Sequence, residues 1–138
     1  MNPKMEAFVN GYIECALWSS NDVSDDNPDH KYETLQGLEL DDQARLVLTS
    51  HAVTFYWQHF TLLHAAIEAC NQVWEQAGHD LWLTHNGHGS GFWDGDWGEP
   101  AQSWANEGPT FGDVLTLKAH TYKQIDLYVG DYDGKVYV

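Results

Sequence analysis

The stretch from His79 to Gly98 holds three histidines, three tryptophans and five glycines within twenty residues. Imidazole and carboxylate together suit zinc or another first-row divalent ion. His79, His85, His88, Asp94 and Asp96 therefore form a candidate metal-ligand set, with His85-x-x-His88 reaching across a tight turn. No cysteine pair accompanies them to close a structural site. Hydrogen bonding of His79 and His88 to the backbone of a glycine-rich turn accounts for the same residues without an ion.

The same segment admits acid–base chemistry. His88 with Asp80 or Asp94 can make a proton-transfer pair, and Ser90 is near enough in sequence to act as a nucleophile. This makes His88 and Asp94 the catalytic candidates of a small metal-dependent or acid–base hydrolase. However, Gly87-His88-Gly89-Ser90-Gly91 reads as a hairpin, not as the strand–turn–helix that a Gly-x-Ser-x-Gly elbow requires. The run from Asp94 to Glu99 begins like a calcium loop. It then places Gly98 where the EF-hand pattern needs Asp or Asn, so the match fails.

Tryptophan gives a third chemistry. Trp97 and Trp104 fall in a stretch that reads as loop, and exposed indoles beside carboxylates suit a basic protein surface through anchoring and cation–π contact. They equally suit a glycan- or peptide-binding module. Charge favours the basic surface. The formal net charge is −15, from 21 carboxylates against six basic residues. No Lys or Arg lies between residues 46 and 117, where eight carboxylates do. Such a field repels nucleic acid and anionic membranes and draws in cations. Asp22, Asp25, Asp26 and Asp29, in an acidic loop over 21–33, are further binding candidates.

The elements that must position these residues follow from periodicity. Asn2 is an N-cap with Pro3 at the first helical position. Met5, Phe8, Val9, Tyr12, Ile13, Ala16 and Leu17 then trace one face of a helix ending near Ser19–Asn21. Asp41 or Asp42 caps a second helical stretch whose apolar stripe runs from Leu48 to Trp74, with Gly78 just past its end. As one rod it would be on the order of 55 Å long, against about 35–40 Å for a compact domain of this size. A break near Thr49-Ser50 or His59–Thr61 is therefore expected; a protruding helix in a homodimer is the alternative. Leu81–Thr84 and Ser90–Trp93 read as strands turned by Asn86-Gly87. A short helix is expected within 110–122. Ile125–Val129 and Lys135–Val138 read as a second hairpin.

The expected fold is α+β: a single domain over 1–138, with N-terminal helices packed on a small antiparallel sheet of two C-terminal hairpins. Residues 1–78 are mainly helical, and 79–138 run hairpin, short helix, hairpin. No apolar run approaches the ~20 residues of a membrane span. Cys15 and Cys70 sit on apolar helical stripes and read as reduced thiols, which points to the cytoplasm.

A resemblance adds to this. Ala77-Gly78-His79-Asp80, Trp82-Leu83-Thr84, Asn86-Gly87-His88-Gly89 and Gly91-Phe92-Trp93-Asp94 form a pattern that resembles a family of small bacteriophage-encoded proteins. The tail Asp126–Asp131 followed by Asp133–Tyr137 is similar to that family's ending. His85 stands where the family is associated with arginine, and Pro100–Pro109 departs from its short helix. The resemblance implies an accessory protein made in a bacterial cytoplasm, and it implies no reaction. Together with the charge it yields the leading expectation, a non-enzymatic protein that binds a basic surface of a host protein. In its sharper form the protein is a nucleic-acid mimic that inhibits a host defence or replication factor. No cofactor is required, and direct binding of nucleic acid is not expected.

Overall fold

The computed structural model describes residues 1–20, 34–87, 90–102 and 108–138. Five helices occur among them: α1 (Pro3–Ser19), α2 (Asp42–Gln58), α3 (Phe60–Cys70), α4 (Trp74–His85) and α5 (Phe111–Ala119). Two short strands follow, β1 (Tyr128–Val129) and β2 (Val136–Tyr137), paired antiparallel with Tyr128 opposite Tyr137. The architecture is thus α+β with a small antiparallel sheet, and mostly helical. No described helix is long and apolar enough to cross a membrane.

Helix starts follow the capping chemistry. Asn2 Oδ1 accepts from the Met5 amide at 2.8 Å, with Pro3 beginning α1. Asp41 caps α2 through the Gln43 amide. Thr110 and Asp113 form a reciprocal capping box on α5. The long apolar stripe breaks twice. His59 leaves helical geometry between α2 and α3, within the expected His59–Thr61 window, and Asn71 turns left-handed at φ 54° after α3.

The first expected hairpin is absent, and this corrects the sequence reading. Leu81–Thr84 lie inside α4, and Ser90–Trp93 form a bend and turn. Alternation gave no warning, because every residue from Asp80 to His85 is buried and the run has neither a period of two nor an outward face. Local bonds favour the helix: Thr84 Oγ1 donates to the Asp80 carbonyl at 2.7 Å, and Asn86 Nδ2 donates to that of Trp82 at 3.0 Å. Asn86-Gly87 therefore ends a helix, with Gly87 at φ 70° in the left-handed position that follows a C-cap.

Gly78 does not end a helix either. It sits within α4 because α1 crosses there. A Cβ on Gly78 would lie 2.0 Å from the Phe8 carbonyl oxygen, and one on Gly11 would lie 2.1 Å from that of Glu75. Each helix thus presents a bare backbone where the other's carbonyl arrives. Contacts advance in step along both: Phe8 meets Trp74, Tyr12 meets Trp82, and the Trp82 indole N–H donates to Ser19 Oγ at 2.9 Å. The two helices run in the same direction, so the chain between them must travel back. The chain through α2 makes that journey, from Leu35 beside Leu17 to Tyr56 beside Asn2, and with α3 closes a core in which Phe8, Phe55, Tyr56, Phe60 and Trp74 pack ring on ring.

The hairpin is tied to the start of α2. The Asp41 amide donates to the Val136 carbonyl, and the Val136 amide to that of Glu39, both at 2.8 Å. β2 therefore lies between β1 and the chain around Leu40, with Leu40, Val129 and Val136 buried.

Gly78→Ala should force the α1–α4 backbones apart. Overpacking against backbone, which cannot rotate away, is expected to cost about 3 kcal/mol, the upper end of the usual range. Ala65→Gly at an exposed position in α3 should cost only about 1 kcal/mol. Urea unfolding of both variants tests the difference, and equal losses would contradict a tight crossing.

Candidate functional site

The candidate site is built on the last turns of α4 and the chain that folds back over it. Asp80 is buried and accepts from the Trp97 indole N–H at 2.7 Å and from Gln76 Nε2 at 3.0 Å. One turn later, Thr84 Oγ1 accepts from the Phe92 amide at 3.0 Å while donating to the Asp80 carbonyl. Phe92 and Trp97 meet edge to face, with ring centroids 5.5 Å apart. The Trp97 carbonyl in turn takes the Gly112 amide at 2.9 Å. Asp80, Thr84, Phe92 and Trp97 therefore clamp the segment after α4 between α4 and α5.

Trp97 is fully buried, against the expectation of an exposed anchor. Its indole N–H needs an acceptor in the core, and Asp80 supplies one. A run rich in glycine and aspartate looks like loop in sequence even when one large ring within it fills the core. The exposed indoles among the described residues are Trp18, Trp57 and Trp93. The sequence reading closes Trp82, Phe92 and Trp93 over the glycines as core; Trp82 and Phe92 are buried, but Trp93 faces outward from the bend. Trp93 is 53% exposed, and Asp94, Asp96 and Glu99 beside it are exposed too.

The histidines separate. His85 is buried, with Nε2 2.8 Å from the Tyr12 hydroxyl and Nδ1 3.1 Å from the Lys123 carbonyl oxygen. A carbonyl only accepts, so Nδ1 carries the proton and Nε2 accepts from Tyr12. Both ring nitrogens are engaged, and His85 is not placed as a metal ligand. Burial pushes its pKa down to about 4. Burial also lifts the Tyr12 phenol well above its ordinary range, which keeps it a donor. His79 packs beside the half-exposed Trp18, with Nδ1 3.9 Å from Asp80 Oδ1.

Asp94 accepts long contacts from the Gly91 amide at 3.4 Å and the Asp96 amide at 3.5 Å, as a turn-forming aspartate does. Gln72 Nε2 donates to the Asp96 carbonyl at 3.2 Å and fastens that turn to the end of α3. Among the described residues, no group of three or more His, Cys, Asp and Glu side chains is placed to hold a metal ion. His88, Trp104 and the acidic positions Asp22, Asp25, Asp26 and Asp29 lie outside the described residues. Cys15 and Cys70 are free thiols, and burial pushes Cys15 up to about 12.

Two predictions follow from the buried pairs. Trp97→Phe keeps the ring but leaves Asp80 short of a donor, which should cost about 1–3 kcal/mol. Adding Asp80→Asn should recover part of that loss in a double-mutant cycle, and strict additivity would show that the pair is not coupled. His85 is held neutral in the fold, so its stabilising contribution is complete above its ordinary pKa of 6.5. It is lost as pH falls from 6.5 through about 4. The loss over that range is about 3 kcal/mol. His85→Gln should be less stable than the native chain at pH 7, with the gap narrowing towards pH 4 in urea titrations. A constant gap would refute the assignment.

Set against known proteins, the chain matches no family model, no curated protein and no solved structure.

Proposed function

We propose that this protein acts by binding: it docks a basic surface of a protein partner, with Trp93 as its aromatic anchor. The observation that carries this reading is the outward face of the turn after α4. There a half-exposed tryptophan stands among exposed Asp94, Asp96 and Glu99, in a stretch of chain without Lys or Arg from 46 to 117. Binding hot spots favour such a residue, because a large rigid ring gains contact area at little cost in side-chain entropy. The clamp beneath, from Asp80 and Thr84 to Phe92 and Trp97, holds the turn in place before a partner arrives. Preorganisation of this kind lowers the ordering cost of association.

Charge supplies the rest. A net charge of −15 steers a cationic surface inward and speeds encounter. In its sharper form the protein occupies a groove that otherwise takes DNA or RNA, its carboxylates standing where phosphates would. An accessory protein of a bacteriophage, which the Gly78–Asp94 motif suggests by resemblance, would use such binding to inhibit a host factor in the bacterial cytoplasm.

Capture from bacterial lysate followed by mass spectrometry identifies the partner, and titration then measures the affinity. Trp93→Ala should weaken it about 30-fold or more, the scale of a hot spot. Asp94→Lys with Asp96→Lys should slow association and flatten its salt dependence. A competing oligonucleotide should displace the protein if the nucleic-acid groove is the target. An affinity unchanged by Trp93→Ala and by salt would overturn the proposal.

A further inference from the structure

The C-terminal hairpin carries a second aromatic and acidic group, remote in sequence from Trp93. A cavity of ≈ 180 Å³ at its tip is lined by Tyr128, Gly130, Asp131, Tyr132, Asp133 and Tyr137. Tyr128 and Tyr137 face each other across the two strands, with rings 5.7 Å apart and 19° from parallel. Tyr132 stands fully exposed at the turn, where folding gives a phenol no apolar cover.

The walls are held in place. The Tyr137 hydroxyl donates to Asp133 Oδ2 at 2.5 Å, and the Lys135 amide donates to Oδ1 at 3.0 Å. Gly130 allows this packing, since a Cβ there would lie 2.5 Å from the Tyr137 ring. The bond from Tyr137 holds the Asp133 carboxyl below the usual carboxylate range and pushes the phenol up to about 12. At neutral pH the pocket therefore presents a fixed negative charge beside neutral rings.

Those features select the ligand. Aromatic faces and carboxylates both attract cations, whereas an anion meets repulsion from both. Lys135 adds one ammonium near Asp133, but the chain's net charge of −15 keeps its surface attractive to cations. A guanidinium suits it better than an ammonium, because it is planar, weakly hydrated and able to stack on a ring while forking onto a carboxylate. We propose that the hairpin tip is a cation-reading pocket that takes an arginine side chain, stacked on tyrosine and paired with Asp133. This deepens the proposed function and rests on it for the partner's basic character.

The test uses blocked arginine (N-acetyl-arginine amide) as probe, with blocked citrulline as its neutral isostere, followed by amide NMR shifts of the full chain. Saturable shifts confined to residues 128–137 are expected with arginine and not with citrulline. Tyr132→Ala removes a side chain in full contact with solvent and should leave the fold intact. It is expected to weaken the probe about two- to fivefold, and Asp133→Asn should weaken it further. Equal response to citrulline, shifts spread over the whole acidic surface, or an unaltered affinity in Tyr132→Ala would each overturn the pocket. Partner capture that depends on Trp93 but not on Tyr132 would sink the pocket and leave the proposed function standing. Arginine binding at the hairpin with no partner captured would do the reverse.

Discussion

The approach of α1 to α4 at Gly11 and Gly78 sets the spacing to which the other elements are packed. Carbonyls of Phe8 and Glu75 occupy the space that side chains at those glycines would fill. Helix axes usually stand 8–10 Å apart, held off by side chains. Removing the Cβ on both sides of one crossing brings the axes closer and trades helix propensity, about 1 kcal/mol per glycine, for continuous backbone packing. Tyr12, Trp82 and His85 then pack ring on ring, with the Tyr12 hydroxyl bonded to His85 and the Trp82 indole N–H to Ser19.

From that crossing the division of labour in the His79–Gly98 segment follows. Its inward residues belong to the scaffold: Asp80 takes the Trp97 indole, Thr84 takes the Phe92 amide, and His85 links α1 to the chain after α5. Its outward residues, Trp93, Asp94 and Asp96, lie on a turn that the inward ones anchor. One short sequence thus carries a rigid support and a charged aromatic surface, and the support keeps that surface in register. The hairpin repeats the arrangement on a smaller scale, with Val129 and Val136 buried beneath exposed Tyr128 and Tyr132.

What could be read from the sequence divides along physical lines. Caps are local chemistry, so Asn2 and Asp41 could be read as helix starts without knowledge of the packing. Length alone required a break, with Thr49-Ser50 and His59–Thr61 as alternatives; the structure takes the second, and the further break at Asn71 had no such signal. The Leu81–Thr84 run was not legible, because a segment buried on every side lacks the contrast between faces from which period is judged. Gly78 misled for a related reason: a glycine that admits a distant carbonyl looks, in one dimension, like a glycine that ends a helix. The site shows the same limit. Crowded histidine, carboxylate and glycine suggested ligands, but the partners of Asp80 and His85 lie at Trp97, Tyr12 and Lys123. Only the fold identifies them.

The shared direction of α1 and α4 also bears on how the chain reaches its native state. Proteins made mainly of helices usually fold fast, because most of their contacts are between near neighbours in sequence. Here the central packing joins residues as far apart as Tyr12 and His85, separated by 73 positions. The entropy of closing that span must be met before the crossing stabilises anything. The chain should therefore fold with the slower tempo of a non-local topology despite its helical composition.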